Sequence, residues 1–381
     1  MTNEMMIITA VITLVLNAIT PLFINQITLK KYELTHSAEK ALHTMQSLKQ
    51  YLQITFLALG AFSFTHALIQ LSAHSAPSRW MFYITIVVYS AIIIVYGQLV
   101  FHRVTKKIRQ TETTWKDEFT NTLKDLLIIL IPLITYKLLR TYFAGPEHDN
   151  EWKDFGVYVI FLMIVQIVYP FLVYAQLSAR PIQDKKIHKS IVAFMKLQHE
   201  SRIGVYEFPS KKSKNAHAWV SGIIIKKIFI ADYLIEKLTI AELHAVIAHE
   251  IGHCKKNHQL IKLGLFIMIY PMVMILNECS IRLETWIGGS LSFIYGLGFF
   301  VFFLLLYYVY IYQAVSRIHE HQADQYVLEV CEKDDLTSAL NKLTKLNNHM
   351  TTFHRITEKF QSHPSLEKRI TWIEQNSSYS S

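Results

Sequence analysis

The most specific chemical signal in the sequence is five residues long: His249-Glu250-Ile251-Gly252-His253. On a helix, side chains four residues apart stack on one face about a turn apart, so His249 and His253 can both offer a ring nitrogen to one tetrahedral ion. Glu250 lies beside that face and can reach a metal-bound water without ligating the metal. Zinc lowers the pKa of such a water, the carboxylate takes its proton, and the hydroxide attacks a carbonyl that the metal also polarises. A catalytic zinc takes three protein ligands and keeps a fourth position open. The third should come from another helix, and Glu320, in Ser316-Arg317-Ile318-His319-Glu320-His321-Gln322-Ala323-Asp324, is the best-placed candidate. Asp324 follows one helical turn later, spaced to orient a ligating histidine without touching the metal. With 18 histidines in the chain a chance match must be weighed, and the setting argues against it. Apolar Val246 and Ile247 precede the pentad, and Gly252 sits inside it. That glycine costs a helix about 1 kcal/mol relative to alanine, which makes sense where another backbone or a metal ligand must come close.

These side chains need elements to hold them. Thr239 with Glu242 three residues on is a capping-box pattern, which predicts a helix from about Ile240 through the pentad. Upstream, 185–199 has helical periodicity, while Ile203 to Phe208 and Trp219 to Ile230 read as short β-like runs. The tail 314–381 reads as helix throughout, with a break at Pro364. Apolar runs of spanning length fall near 6–29, 53–72, 81–101, 126–144, 156–178, 260–276 and 286–313. Each is close to the roughly 20 residues that cross a bilayer core as helix. The fourth is the weakest, because Lys137 and Arg140 occupy its second half, where they would snorkel or face a wet interior. His253 lies seven residues before the sixth run and Glu320 seven after the seventh. If both helices continue unbroken, both ligands stand roughly 10 Å above one membrane face, and adjacent antiparallel spans bring them together.

Basic residues alternate between the segments that join these runs. Lys30, Lys31, Lys40 and Lys49 follow the first, and Arg103, Lys106, Lys107, Arg109, Lys116 and Lys124 follow the third. By contrast Arg79 alone follows the second, Lys153 lies among Glu147, Asp149 and Glu151 after the fourth, and Arg282 alone follows the sixth. The positive-inside rule then puts the N-terminus outside and 179–259 and the C-terminal tail in the cytoplasm. The domain reading follows: 1–178 is a membrane region with five spans, 179–259 a cytosolic catalytic part, 260–313 a two-span hairpin, and 314–381 a second cytosolic part carrying the third ligand. The first run lacks a basic leader and exceeds a signal-peptide core, so it reads as a retained membrane helix.

Composition agrees, with 51% apolar and 18% charged residues. The net charge of +9 clusters in loops between apolar runs, as orientation signals and lipid-facing charge do. No zinc knuckle, RNA-binding aromatic motif or long basic arm accompanies it, so nucleic acid is not an expected partner. Cys254, Cys279 and Cys331 are far apart and form no C-x-x-C pair, which excludes a disulfide framework. Cys254 is one residue past a ligand, about 100° round the helix, and should not bind the same ion.

The segment Ala245 to His258 resembles the zinc-binding helix of the integral-membrane zinc metallopeptidase family that includes the CAAX prenyl endopeptidase and the heat-shock protease HtpX. Ser316 to Asp324 is similar to that family's S-R-x-x-E-x-x-A-D, which implies Glu320 as the third zinc ligand. Asn215-Ala216-His217-Ala218 resembles its N-A-[FYW] strand, which lies along the substrate backbone and implies Asn215 and Ala216 as substrate-binding residues. Ser362 to Ile370 resembles its terminal H-P-x-x-x-x-R, which implies that His363 and Arg369 sit by the metal and steady the tetrahedral intermediate. The four motifs stand in the family's order and cover about 200–375. Five spans before the site and two after resemble the seven-span prenyl-protease type more than HtpX. The fold expected is a mainly α membrane protein of about seven transmembrane helices, with a split cytosolic gluzincin-type zinc protease domain containing a small β-sheet. One Zn2+ per chain is implied, at the cytosolic end of a water-filled chamber. Asn17, Asn25, His66, Gln98 and Gln166 either line that chamber or bond between helices. Cys254 stands where an aromatic is common, and His217 replaces the usual aromatic; both bear on substrate fit rather than on the chemistry.

The expected function is endopeptidase action on membrane-associated proteins or peptides at the cytoplasmic face of the bacterial plasma membrane. Prenylated substrates are implied by the resemblance, while bacterial membrane quality control or maturation of a secreted peptide fits at least as well. A receptor-type signalling metallopeptidase is disfavoured because no sensor domain follows the last span. A site-2-type intramembrane protease is disfavoured because Glu242, Lys255 and Lys256 flank the pentad. A transporter or scaffold with a vestigial site is opposed by the presence of all three ligands and the general base. On spacing alone His258, His319 and His321 read as solvent-facing helix residues.

Overall fold

The long uncharged runs fold as long helices, because in an apolar solvent each backbone N–H and C=O must be satisfied within its own segment. A computed structural model describes residues 3–49, 79–144, 150–288, 299–300, 302–352 and 358–376. They are mainly helical and divide into two units: Met1–Ile129 with Lys212–Lys214 and Asn348–Met350, and Leu130–Lys211 with Asn215–Asn347 and Thr351–Ser381. Among the described residues, five helices are long and apolar enough to cross a membrane: Val11–Thr35, Val87–Arg109, Trp115–Phe143, Glu151–Gln176 and His258–Ile287. They match the first, third, fourth, fifth and sixth expected runs. The second, 53–72, lies outside the described residues, as do 289–298 and 301 of the seventh.

The first unit holds α1 (Asn3–Thr35), α2 (Ala38–Leu48), α3 (Arg79–Arg109) and the start of α4 (Trp115–Ala144). Ser37 caps α2 by accepting from the Lys40 N–H. Ala41, Val104 and Ile108 are buried together, with Leu29, Tyr32, Ala38 and Leu42 packed round them. Polar side chains of the apolar runs bond from helix to helix. Asn25 Nδ2 donates to Val100 O at 2.8 Å, and Asn17 Nδ2 to Tyr89 Oη at 3.1 Å. Gln98 accepts from Lys49 Nζ at 2.9 Å, and His66 lies outside the described residues.

In the second unit, Arg140 near the end of α4 does not snorkel. It is buried and donates through Nε and Nη2 to both carboxylate oxygens of Asp154 on α5 (Glu151–Gln176), each at 3.1 Å. After α5 come β1 (Arg180–Pro181), α6 (Lys185–Leu197), β2 (Gly204–Phe208), β3 (Ala218–Ser221), β4 (Lys227–Ala231), α7 (Asp232–Lys237) and α8 (Ile240–Lys255). The sheet order is β1-β2-β4-β3, with β2 and β4 parallel and the other pairs antiparallel. Fully buried Ile228, Phe229, Ile230 and Ala231 make β4 the central strand, and β3 is left as an edge. The run from Trp219 to Ile230 is thus a hairpin, turning at Gly222 with φ +92°, where a Cβ would come within 2.2 Å of the Ile225 carbonyl oxygen.

The capping box is formed as the sequence predicts: Thr239 Oγ1 accepts from the Glu242 N–H and the Glu242 carboxylate accepts from the Thr239 N–H. It starts α8, which is buried along most of its length. The expected unbroken passage from this helix into the sixth run does not occur. Asn257 adopts a left-handed conformation, φ +53°, which asparagine tolerates, and α9 (His258–Ile287) starts afresh. On the other side, helical residues 302–306 pass through a π-turn, Tyr307–Tyr312, directly into α10 (Gln313–Val330). The tail breaks more often than expected: α10 ends at Cys331, α11 spans Lys333–Leu346, and α12 spans Leu366–Asn376 beyond Pro364. α8 and α10 cross at Gly252, where a Cβ would meet Ala323 Cα at 3.0 Å and its carbonyl oxygen at 3.1 Å.

Candidate metal centre

The close crossing at Gly252 brings the two sequence-distant halves of the site face to face. His249, Glu250 and His253 project from α8, and Glu320 and Asp324 from α10, with all but His249 under a tenth exposed. His249 Nε2 and His253 Nε2 lie 3.1 Å apart, and Glu320 oxygens lie 3.4 Å from the first and 3.5 Å from the second. A tetrahedral zinc with ligands at about 2.0–2.1 Å has edges of about 3.3–3.4 Å. Each edge of the triangle is near that length, with the Glu320 edges ending on different oxygens, Oε2 toward His249 and Oε1 toward His253, and among the described residues this trio is the group able to hold a metal ion. Glu320 Oε2 is buried without a well-formed hydrogen bond, although His363 Nδ1 approaches to 2.7 Å, so its lone pairs are available to an ion. Two imidazoles and one carboxylate are a donor set suited to catalytic zinc.

Each ligand has a supporting group behind it. His249 Nδ1 faces Asp324 Oδ1 at 3.0 Å, and Arg369 clamps that carboxylate through Nε and Nη2 at 2.9 and 2.6 Å. Arg369 Nη1 remains 3.9 Å from Glu320. Burial alone would lower the pKa of His249, but hydrogen bonds to Asp324 and Glu320 outweigh it and push it up to about 10. Burial would raise the Asp324 carboxyl, yet Arg369 and His249 hold it down at about 2. Glu320 is likewise held well below the usual carboxylate range, its burial outweighed by His363 and His249. His253 moves the other way, down to about 2, through burial and then the neighbouring His249 charge.

Glu250 lies beside the triangle. Its Oε2 accepts from the Val220 N–H of β3 at 2.8 Å, and burial raises its proton affinity, an effect that His249 opposes. A cavity of about 530 Å³ opens over these groups, lined by His249, Glu250, His253, Glu320, His363 and the β3 edge from Ala218 to Val220. The His217 carbonyl accepts from Ala231 N–H, so by strand alternation the backbone groups of Ala218 and Val220 face the cavity.

Asn215 and His217 line the cavity, but Ala216 does not. Ala216 is fully buried, and its N–H and C=O are both taken by the Asn347 side chain, at 3.0 and 2.6 Å. Spacing gave no sign of this partner, which is 131 residues away. His363 sits at the cavity wall, more than half exposed, on a turn whose carbonyls are gathered by Arg317 Nη1, at 3.1 Å from Lys359 O and 3.0 Å from Gln361 O. The expectation that His258 and His319 face solvent is overturned. They are 1% and 3% exposed and stack on each other at 3.9 Å, His258 at the start of the new helix that follows the left-handed Asn257 and His319 on α10. His321 is partly exposed, tilted against Trp372.

Comparison with known proteins gives the same picture. A crystal structure of Ste24p from S. mikatae superposes with a TM-score of 0.65 at 19% identity, covering 96% of this chain and 98% of that one. CAAX prenyl protease 1 of Saccharomyces cerevisiae is 28% identical over 281 residues, 63% of this chain and 59% of the yeast protein. The Bacillus subtilis protein named uncharacterized metalloprotease YhfN is 26% identical over 290 residues, 70% of this chain and 65% of that protein. The matched part of the chain thus spans less than two thirds of either curated relative. The model of peptidase family M48 matches residues 181–377, more than half of the chain and the whole of the site just described. This multi-pass, mainly helical protein with a Ste24-like fold therefore belongs to peptidase family M48.

Proposed function

We propose that the protein is a zinc-dependent membrane endopeptidase that cuts extended segments of membrane-associated proteins or peptides. The observation that carries this reading is the convergence of His249, His253 and Glu320 on one spot able to hold an ion, with Glu250 beside it and an open strand edge above. Held by these three residues, zinc supplies a Lewis acid that polarises the scissile carbonyl and acidifies water. The chain's own groups do the rest. The outward backbone groups of Ala218 pair with an extended substrate as a further strand, with Asn215 and His217 flanking it. Glu250, anchored through Oε2 by Val220, uses its other oxygen to take the proton of the attacking water and passes it to the leaving amine. His363 faces the cavity, where it donates to the substrate oxygen as charge develops. Arg369 acts through Asp324, keeping that carboxylate ionised against His249.

The same reading keeps 1–178 as the membrane region and joins 179–259 with 314–381 into one cytosolic catalytic part around the 260–313 hairpin. The alternation of basic segments supports a cytoplasmic site and an outside N-terminus. The yeast relative's name supports prenylated CAAX proteins as a substrate class to be tried first. The decisive experiment uses the purified chain in detergent, with zinc counted and cleavage of an unstructured peptide followed. Glu250→Gln should keep about one zinc per chain and lose cleavage by about 10²- to 10⁴-fold. Equal cleavage by parent and variant would refute the mechanism.

A further inference from the structure

His249 is supported by a carboxylate, but His253 is not. Its Nδ1 lies 2.7 Å from Nδ1 of His258, whose Nε2 lies 2.8 Å from Oε1 of Gln322. His258 is buried and fixed by its stack on His319, with rings 8° from parallel. On a straight helix a residue five positions on would point about 140° away. The left-handed turn at Asn257 is what returns His258 to the side of His253.

Proton bookkeeping leaves one arrangement. A ligating imidazole presents a bare nitrogen to the metal, so with Nε2 toward the triangle His253 carries its proton on Nδ1. A donor at that distance needs an acceptor, so His258 Nδ1 is bare and its proton sits on Nε2, where Gln322 Oε1 accepts it. The chain runs His253 to His258 to Gln322, and each member's roles are determined by the next.

We infer that His258, aligned by Gln322, is the positioning residue of His253: an uncharged imidazole acceptor that fixes the tautomer and ring orientation in which His253 ligates zinc. The inference rests on the zinc-peptidase reading above. It makes the support of the two histidines chemically unlike. Asp324 behind His249 is offset by Arg369, and His258 behind His253 is neutral, so neither support adds net negative charge to the site.

The test is metal binding rather than cleavage: zinc affinity of the full-length chain in detergent, by competition with a chromophoric chelator, together with the visible spectrum of the cobalt-loaded protein. His258→Phe keeps a ring to stack on His319 but offers no acceptor. It should weaken zinc binding about 10- to 100-fold and shift the cobalt bands. His258→Gln restores an acceptor toward His253 and a donor toward Gln322, and should stay within about threefold of the parent. Gln322→Leu should fall between the two. Parent-like affinity and spectrum in His258→Phe, or a His258→Gln variant as weak as His258→Phe, would overturn the inference. Should His258→Phe fail to fold, parent-like affinity in Gln322→Leu overturns it instead. A parent chain that binds no zinc refutes the metallopeptidase reading itself, whereas zinc binding that these variants leave unchanged refutes the His258 role alone.

Discussion

At the residue scale, the two ionised partners of His249 decide how firmly the site is preset. Asp324 is wholly buried, and it stays charged because Arg369 and then His249 face it. Asp324→Asn keeps the shape but weakens the acceptor behind His249, and should lower zinc affinity about 10- to 100-fold, measured by chelator competition. Arg369→Met should cost more in stability than Asp324→Asn, because it leaves a buried carboxylate without its cation, a loss of about 3–5 kcal/mol in thermal or denaturant unfolding. Glu320 stood out through its spacing from the membrane runs and the family resemblance. The pairings of His249 with His253 and of Glu320 with Asp324 were legible in the sequence because i to i+4 spacing on a helix is fixed by covalent geometry. His258 and the Asn347 clamp on Ala216 were not. The first depends on one residue's left-handed backbone, and the second on an encounter across 131 residues that no local pattern encodes.

At the element scale, the site is as good as the crossing of α8 and α10. Gly252→Ala places a methyl group against the Ala323 backbone, which cannot give way as a side chain end would. It should cost about 1–3 kcal/mol by overpacking and reduce bound zinc, since the helix displaced is the one that carries Glu320. Tm and metal content of the same preparation check both. The cap of α8 offers a cleaner probe. Glu242 is bonded to Thr239, Ser338 and Lys342, and these contacts outweigh its burial and take its pKa from 4.5 to about 2. A carboxyl depressed on folding stabilises the protein above its unfolded value and loses that contribution as pH falls toward the folded one. The Tm of Glu242→Gln should therefore lie below the parent's at neutral pH, and the two should converge as pH falls from about 4.5 toward 2. A gap that stays constant over that range would remove the role assigned to the charge. The helix and its capping box could be read from sequence, as could Gly252 as a place of close approach. The stop at Asn257 left only a weak signal, an asparagine after two lysines, outweighed by the apolar run that follows.

At the scale of the whole molecule, hydropathy located the five spanning-length helices found among the described residues but did not describe what charges inside the runs do. Arg140 weakened the fourth run in the sequence, yet in the fold it is buried in a paired contact with Asp154, which makes the run a better membrane helix than its composition suggested. The turn of the β3–β4 hairpin has a different kind of tie to the bilayer. A side chain at Gly222 would strike Pro170 of α5, so the hairpin rests against a membrane helix. Two residues before that turn, the Val220 N–H binds Glu250, the general base of the proposed mechanism. On the proposed reading, the strand that receives the substrate is referenced to the bilayer and works as a ruler. A peptide anchored in the same membrane should be cut at a fixed number of residues from its anchor. Lengthening the spacer should therefore leave that distance unchanged and move the cut to a new sequence, as mass spectrometry of the products would read directly.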